Sequence, residues 1–197
     1  MYEKYFKRLL DMIFAIIGLI MFFPFFLLIA VLIKIDSIGP VFFRHPRLGK
    51  DGKVFKVWKF RTMCDNAENM GLGLLTAKGD PRITKVGKLL RLTSIDELPQ
   101  LINVMRQEMS FIGPRPAPIS HLEKYTSNEK KRLAVLPGIS GWAQVNGRNI
   151  LTWAERIDKD LWYVMNISLK TDFIIFFKTI KTILFFDGIY SGRNENL

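Results

Sequence analysis

The run Met12-Ile-Phe-Ala-Ile-Ile-Gly-Leu-Ile-Met-Phe-Phe-Pro-Phe-Phe-Leu-Leu-Ile-Ala-Val-Leu-Ile33 carries no charge. As a straight helix its 22 residues reach roughly 33 Å, enough for a hydrocarbon core of roughly 30 Å. Pro24, at its middle, removes a backbone hydrogen bond and kinks a helix. Both flanks are basic, with Lys4, Lys7 and Arg8 before it and Lys34, Arg44, Arg47, Lys50 and Lys53 after it. A spanning helix would leave one basic flank on the outer face, against the tendency of Lys and Arg to stay inside. A helix broken at Pro24 can return to the face it entered, so a re-entrant segment over residues 1–36 is the preferred reading. A kinked spanning helix competes with it, because neighbouring groups can satisfy the carbonyl that proline frees. A cleaved signal peptide fits poorly: the stretch is too long, no A-x-A-like site closes it, and Glu3 and Asp11 lie in its head.

The remainder, 37–197, has the length of one modest domain. The net charge of +11 favours an anionic partner without choosing among lipid, nucleic acid and phosphorylated metabolites. Cys64 is the single cysteine, which excludes an internal disulfide and a cysteine-based zinc site and fits a reducing compartment.

Residues 41–62 read as a hairpin around Gly49-Lys-Asp-Gly-Lys53, ending in Val57-Trp-Lys-Phe-Arg-Thr-Met63. Alternation puts Lys59 and Arg61 opposite Trp58 and Phe60, as a solvated face or an anion-facing one. Residues 64–80 read as a polar loop or short helix that substrate could order. From Ile83 to Arg91, the three-residue spacing of Lys85, Lys88 and Arg91 lines one stripe of a short helix.

That stripe leads into Ser94-Ile-Asp96-Glu97-Leu-Pro-Gln100. Paired carboxylates among cations suit phosphoryl chemistry, in which one attacks or binds metal while its neighbour handles protons or holds structure. Ser94 and Glu97 also match a capping box at the start of a helix running to about residue 108. Arg115 stands between Pro114 and Pro116, where a rigid backbone would present a planar, permanently charged fork to phosphate. Pro137–Asn149 combines turn glycines with Gln144, Asn146 and Arg148, a set able to recognise a nucleotide or sugar, or to form a plain turn. Near the C-terminus Asp158, Asp160 and Asp172 are candidates for a metal or sugar site, or for ordinary ion pairs. Residues 173–186 have the pattern of an amphipathic helix lying in the membrane interface, with a core helix as the alternative.

Taken together, Lys59-Phe-Arg-Thr-Met63, Asp96-Glu-Leu-Pro-Gln100, Ser110-Phe-Ile-Gly-Pro-Arg-Pro116 and Pro137–Asn149, in that order behind an apolar segment, closely resemble the bacterial sugar transferases, the monotopic phosphoglycosyl transferases. The length resembles their minimal catalytic form. The resemblance implies an α/β, helix-rich monotopic membrane protein with a Pro-broken re-entrant helix and interfacial amphipathic helices. It implies transfer of a sugar-1-phosphate from a UDP-sugar to polyprenyl (undecaprenyl) phosphate with release of UMP, at the cytoplasmic face of the bacterial inner membrane. The partners implied are the UDP-sugar, the polyprenyl phosphate and the lipid bilayer, with no nucleic acid. Asp96 matches the family nucleophile and would also bind Mg2+, the implied cofactor; Glu97 matches the second acid. Lys59, Arg91, Arg115 and Arg148 are expected to contact phosphate or nucleotide, with Lys59 and Arg91 nearest the acids, and Gln144 and Asn146 to contact substrate. Asp160 and Asp172 are the likelier acids by the same resemblance. In the family a serine commonly precedes the helix-breaking proline; here Phe23 does. A non-catalytic membrane-anchored protein that binds anionic lipid or nucleic acid is the alternative.

Overall fold

The computed structural model describes residues 2–70, 79–147 and 150–184. A π-helical turn, Tyr2–Lys7, leads into helix α1, Arg8–Asp36, which runs through Pro24 as one helix. Its buried positions Asp11, Ala15, Gly18, Phe26, Ile29 and Ile33 recur at helical spacing and form one stripe. Most other apolar side chains of α1, including Ile20, Phe23, Phe25 and Leu28, are exposed. The stripe packs on the domain along both halves of the helix. Ala15 joins Val57, Val104 and Met109, whereas Phe26, Ile29 and Ile33 pack with Phe60 and Leu90. Both ends are tied to the same domain: Ser110 Oγ donates to Asp11 at 2.6 Å, and the Val86 amide donates to Asp36 at 2.8 Å.

The expected hairpin forms, with β1 (Phe42–Leu48) antiparallel to β2 (Val54–Phe60). Phe60 sits edge-on to Phe26, 5.3 Å between ring centres, and stacks on Phe42 at 5.4 Å, so the end of β2 is anchored to α1. Arg61 corrects its reading as a solvated-face residue. It is buried and donates to the carbonyls of Ile38 and Ser37 at 2.6 and 2.7 Å and to Ser37 Oγ at 2.9 Å, closing the loop that ends α1.

Helix α2 (Lys85–Thr93) follows the 64–80 segment, of which 71–78 lie outside the described residues. The chain continues through a 3-10 helix (Ile95–Gln100) into α3 (Leu101–Met105), which ends earlier than expected because Gln107 takes a positive φ of 58°. A second, parallel two-stranded sheet joins β3 (Ser110–Ile112) to β4 (Gly138–Ser140). Then come α4 (Trp142–Val145), α5 (Trp153–Met165) and α6 (Leu169–Leu184).

Helix α6 exposes Phe173, Ile174, Phe176, Phe177 and Ile180, as an interfacial helix requires; residues 185–186 of the expected span lie outside the described residues. Its Asp172 is buried and accepts from Tyr163 at 2.8 Å, Tyr2 at 2.7 Å and Lys7 at 2.8 Å, which locks the two apolar helices to one another's neighbourhood. Asp172 is thus engaged in packing these segments together, as an ion-pair partner of Lys7. The result is a helix-rich fold with two small sheets and one long apolar N-terminal helix, compatible with a monotopic membrane protein.

Arg61→Met should destabilise the protein by about 3 kcal/mol, since the buried guanidinium's three charge-assisted hydrogen bonds are lost. Chemical unfolding in detergent would check this; a change below about 0.5 kcal/mol, within the range of ordinary surface substitutions, would show that Arg61 does not hold the end of α1.

Candidate active site

Four segments converge on Asp96 and Glu97. Helix α2 ends because Ser94 turns left-handed, φ 58°, and its amide closes onto the Leu90 and Arg91 carbonyls. This conformation leaves Ser94 without a side-chain cap, so the expected capping box is absent. The following helix is 3-10, with about three residues per turn, so neighbouring side chains diverge by about 120°. Asp96 and Glu97 therefore meet different surroundings.

Glu97 Oε1 accepts from Lys59 Nζ at 2.7 Å and from Arg115 Nη2 at 2.9 Å. Lys59 arrives on β2, and Arg115 on the Pro114–Pro116 loop after β3. Asp96 accepts no hydrogen bond from the described residues, although it lines the same cleft. Arg91 donates to Thr62 Oγ1 at 2.8 Å, which points its charge along the floor of the cleft. The expected order is thus altered: Lys59 and Arg115 touch Glu97 directly, and Arg91 acts on Asp96 through its charge. Gly87 lets α2 come this close, because a Cβ there would meet the Thr62 carbonyl oxygen at 2.0 Å.

The electrostatics separate the two acids. Burial raises the Asp96 carboxyl to about 6, with the Glu97 charge adding to the shift and Lys59, Arg91 and Arg115 opposing it. Burial disfavours the Glu97 charge as well, but Arg115 and Lys59 outweigh it and hold that carboxyl far below its usual range. Near neutral pH the site holds a pinned anion beside an unengaged carboxylate that is only modestly acidic.

The acids open into a cleft of ≈ 950 Å³. Gln144 lines it, with Nε2 on the Ile139 carbonyl at 3.0 Å and Oε1 buried without a partner. Asn146 does not line it. Its amide donates to the Trp142 carbonyl and its oxygen accepts from Lys178 of α6, both at 2.8 Å or less, so its expected substrate role is replaced by helix packing. Arg148 lies outside the described residues.

Three features of the cleft had no signal in the sequence. Arg132, from the 3-10 segment Glu129–Ala134, forms a buried ion pair with Asp160 and donates to the Tyr125 hydroxyl and, at 3.2 Å, to the Arg115 carbonyl. Asp160 is therefore a structural anchor for the Arg115 loop. Arg47 on β1 and the ring pair His121 and Trp153 also line the cleft.

Comparison with known proteins fits this geometry. The bacterial sugar transferase family profile matches residues 2–186. The chain belongs to the bacterial sugar transferase family. It is 42% identical to an uncharacterised sugar transferase, EpsL, of Bacillus subtilis, over 93% of this chain and 89% of that protein. It is 43% identical to a UDP-N-acetylgalactosamine-undecaprenyl-phosphate N-acetylgalactosaminephosphotransferase of Aeromonas hydrophila, over 90% of this chain and 43% of that one. It is 45% identical to a UDP-glucose:undecaprenyl-phosphate glucose-1-phosphate transferase of Klebsiella pneumoniae, over 89% and 39%. The chain thus spans about two-fifths of the length of several curated relatives and nearly nine-tenths of others.

Within this family member the Arg132–Asp160 pair makes a direct prediction. Arg132→Met strands a buried carboxylate and should cost about 3–5 kcal/mol, more than Arg132→Met combined with Asp160→Leu. Unfolding of the single and double variants measures the difference; equal losses would mean that the pair does not brace the loop.

Proposed function

We propose that this chain transfers a sugar-1-phosphate from a UDP-sugar to polyprenyl phosphate, in the manner that the names of its relatives describe for undecaprenyl phosphate. The observation that carries the reading is the division of the acid pair: Glu97 is held by Lys59 and Arg115, while Asp96 is left unengaged at the cleft. An attacking carboxylate must be ionised and poorly solvated, and Asp96 is the one so placed.

In the first half-reaction an Asp96 oxygen forms a bond to the β-phosphorus of the donor, and the bond from that phosphorus to the oxygen bridging the α-phosphate breaks. UMP leaves with the bond's electrons on its phosphate. In the second, a phosphate oxygen of the polyprenyl phosphate attacks the same phosphorus and the Asp96–phosphorus bond breaks, which restores the carboxylate. Lys59, Arg91 and Arg115 spread over the cleft the positive charge that the equatorial phosphoryl oxygens need. Glu97 fixes Lys59 and Arg115 in position, so they need no reorganisation when charge develops.

Mg2+ fits the site, because Mg2+ is commonly held by one or two carboxylates plus substrate phosphates and Asp96 is a cleft carboxylate with no hydrogen-bond partner among the described residues. Asp96 would hold it, and the ion would supply charge neutralisation on the phosphates.

We further propose that α1 re-enters the membrane and does not cross it, supported by the packing of both its halves, and the tying of both its ends, to one domain with basic flanks. The exposed faces of α1 and α6 would then lie in the cytoplasmic leaflet of the bacterial inner membrane, with the cleft opening to the cytoplasm.

Purified protein in nanodiscs, given Mg2+, undecaprenyl phosphate and a panel of UDP-sugars, should release UMP with at least one donor. UDP in place of UMP would mean conventional glycosyl transfer. Asp96→Asn should lower turnover by about 10³-fold or more, the scale on which covalent catalysts depend on their nucleophile; retained turnover would sink the covalent route. Since the free Asp96 carboxyl titrates near 6, kcat/KM should rise with pH through that value as the attacking form accumulates. Glu97→Gln removes the neighbouring negative charge and frees two cations to act on Asp96, so this acid limb should move to lower pH. An unmoved limb would assign it to another group.

A further inference from the structure

The cleft extends from the acids past a set of guanidinium groups to an aromatic wall. The order can be followed through contacts. Glu97 holds Arg115, and the Arg115 carbonyl accepts from Arg132. Arg132 donates to the Tyr125 hydroxyl, and the Tyr125 ring stacks on Trp153, 5.8 Å between centres and 8° between planes. His121 meets Trp153 edge-on at 4.4 Å. Arg47 lies between the two ends, close enough to repel both Arg115 and a protonated His121, and has no hydrogen-bond partner among the described residues. Arg156, one turn along α5 from Trp153, also lines the cleft.

The wall is held rigidly. Trp153 is the first residue of α5, and the capping box between Thr152 and Glu155 fixes that turn. Tyr125, which stacks on the indole, is 5% exposed, whereas Trp153 is 38% exposed and lines the cleft. His121 Nδ1 is buried without a hydrogen-bond partner among the described residues, and His121 belongs to the same wall. A backed, open indole beside an unsatisfied ring nitrogen suits a flat heteroaromatic ligand that also carries polar edges.

The donor has a matching order of groups. With its β-phosphorus at Asp96, in-line displacement places the α-phosphate on the side of that phosphorus opposite the attacking carboxylate oxygen, with the sugar oxygen among the equatorial substituents. The guanidinium side of the cleft suits the α-phosphate, and the nucleoside is what lies beyond it. We propose that the uracil ring of the UDP-sugar donor stacks on Trp153 with its edge towards His121, while Arg47 and Arg156 take the phosphate side of the nucleoside. This assignment rests on the transferase reading.

The test uses the full chain in nanodiscs and the product-like probe UMP. Irradiation with 5-iodo-UMP should cross-link the tryptic peptide 149–156, which contains Trp153, and excess UMP but not ribose 5-phosphate should protect it. Trp153→Leu should weaken UMP binding about tenfold, a typical loss for one stacking partner, and leave ribose 5-phosphate binding unchanged. Trp153→Phe should restore most of the loss. Cross-linking elsewhere, equal loss of both ligands, or unchanged UMP affinity in the leucine variant would overturn the proposal. Should that variant not fold, the cross-link on the wild-type protein decides alone. UMP bound at Trp153 without turnover of any donor would keep the base site and sink the transferase. UMP-releasing turnover with the cross-link elsewhere would do the reverse, and absence of UMP binding would overturn both.

Discussion

Glu97 accepts hydrogen bonds from Lys59 and Arg115 at one carboxylate oxygen, and the organisation of the cleft depends on that junction. It joins β2, the 3-10 turn after α2 and the proline-bounded loop after β3. Lys59 and Arg115 carry like charges, and a carboxylate between them offsets their repulsion. Both cations line the cleft with Glu97 between them, and Asp96 is left as the carboxylate that accepts no hydrogen bond among the described residues. The same junction sets the titration of the pair. Two acids that are adjacent in sequence end up on opposite sides of their ordinary range because one has cationic hydrogen-bond donors and the other has mainly burial.

A second support lies behind the first. Arg115 is half-exposed at its tip, so Glu97 alone would hold it loosely; the Arg132–Asp160 pair holds its backbone from beneath. Buried ion pairs contribute little net stability, and here the pair ties down the backbone of the loop that carries Arg115. Tyr125, in the same group, connects this support to the aromatic wall.

The membrane elements follow a related logic. Helix α1 is apolar on every face, so its composition does not reveal which face packs on protein. Ala15 and Gly18 mark the packed side because they are small: a Cβ at Gly18 would stand 3.1 Å from Leu101. Larger side chains on the other faces are exposed. Asp11 and Asp36 bound the helix and reach back to Ser110 and Val86, an arrangement that keeps both ends on one side of the domain.

The apolar length of α1, its proline, the basic flanks, the hairpin, the short cationic helix and the acid pair were all legible in the sequence, because each depends on neighbouring residues or on composition. The misread residues were those whose role depends on distant partners. Arg61 has the alternation of a solvated strand residue but caps a helix that ended before the hairpin began, and Asn146 sits in a promising glycine-rich motif but turns towards α6. Ser94 and Glu97 have the spacing of a cap, which the left-handed backbone at Ser94 forbids. By itself the sequence determined that an apolar helix, a cationic surface and two adjacent carboxylates occur in one chain. Only the tertiary structure decided which carboxylate is occupied and which is free, because Lys59 and Arg115 lie 38 and 18 residues from Glu97 along the chain, and Coulomb attraction depends on distance in space.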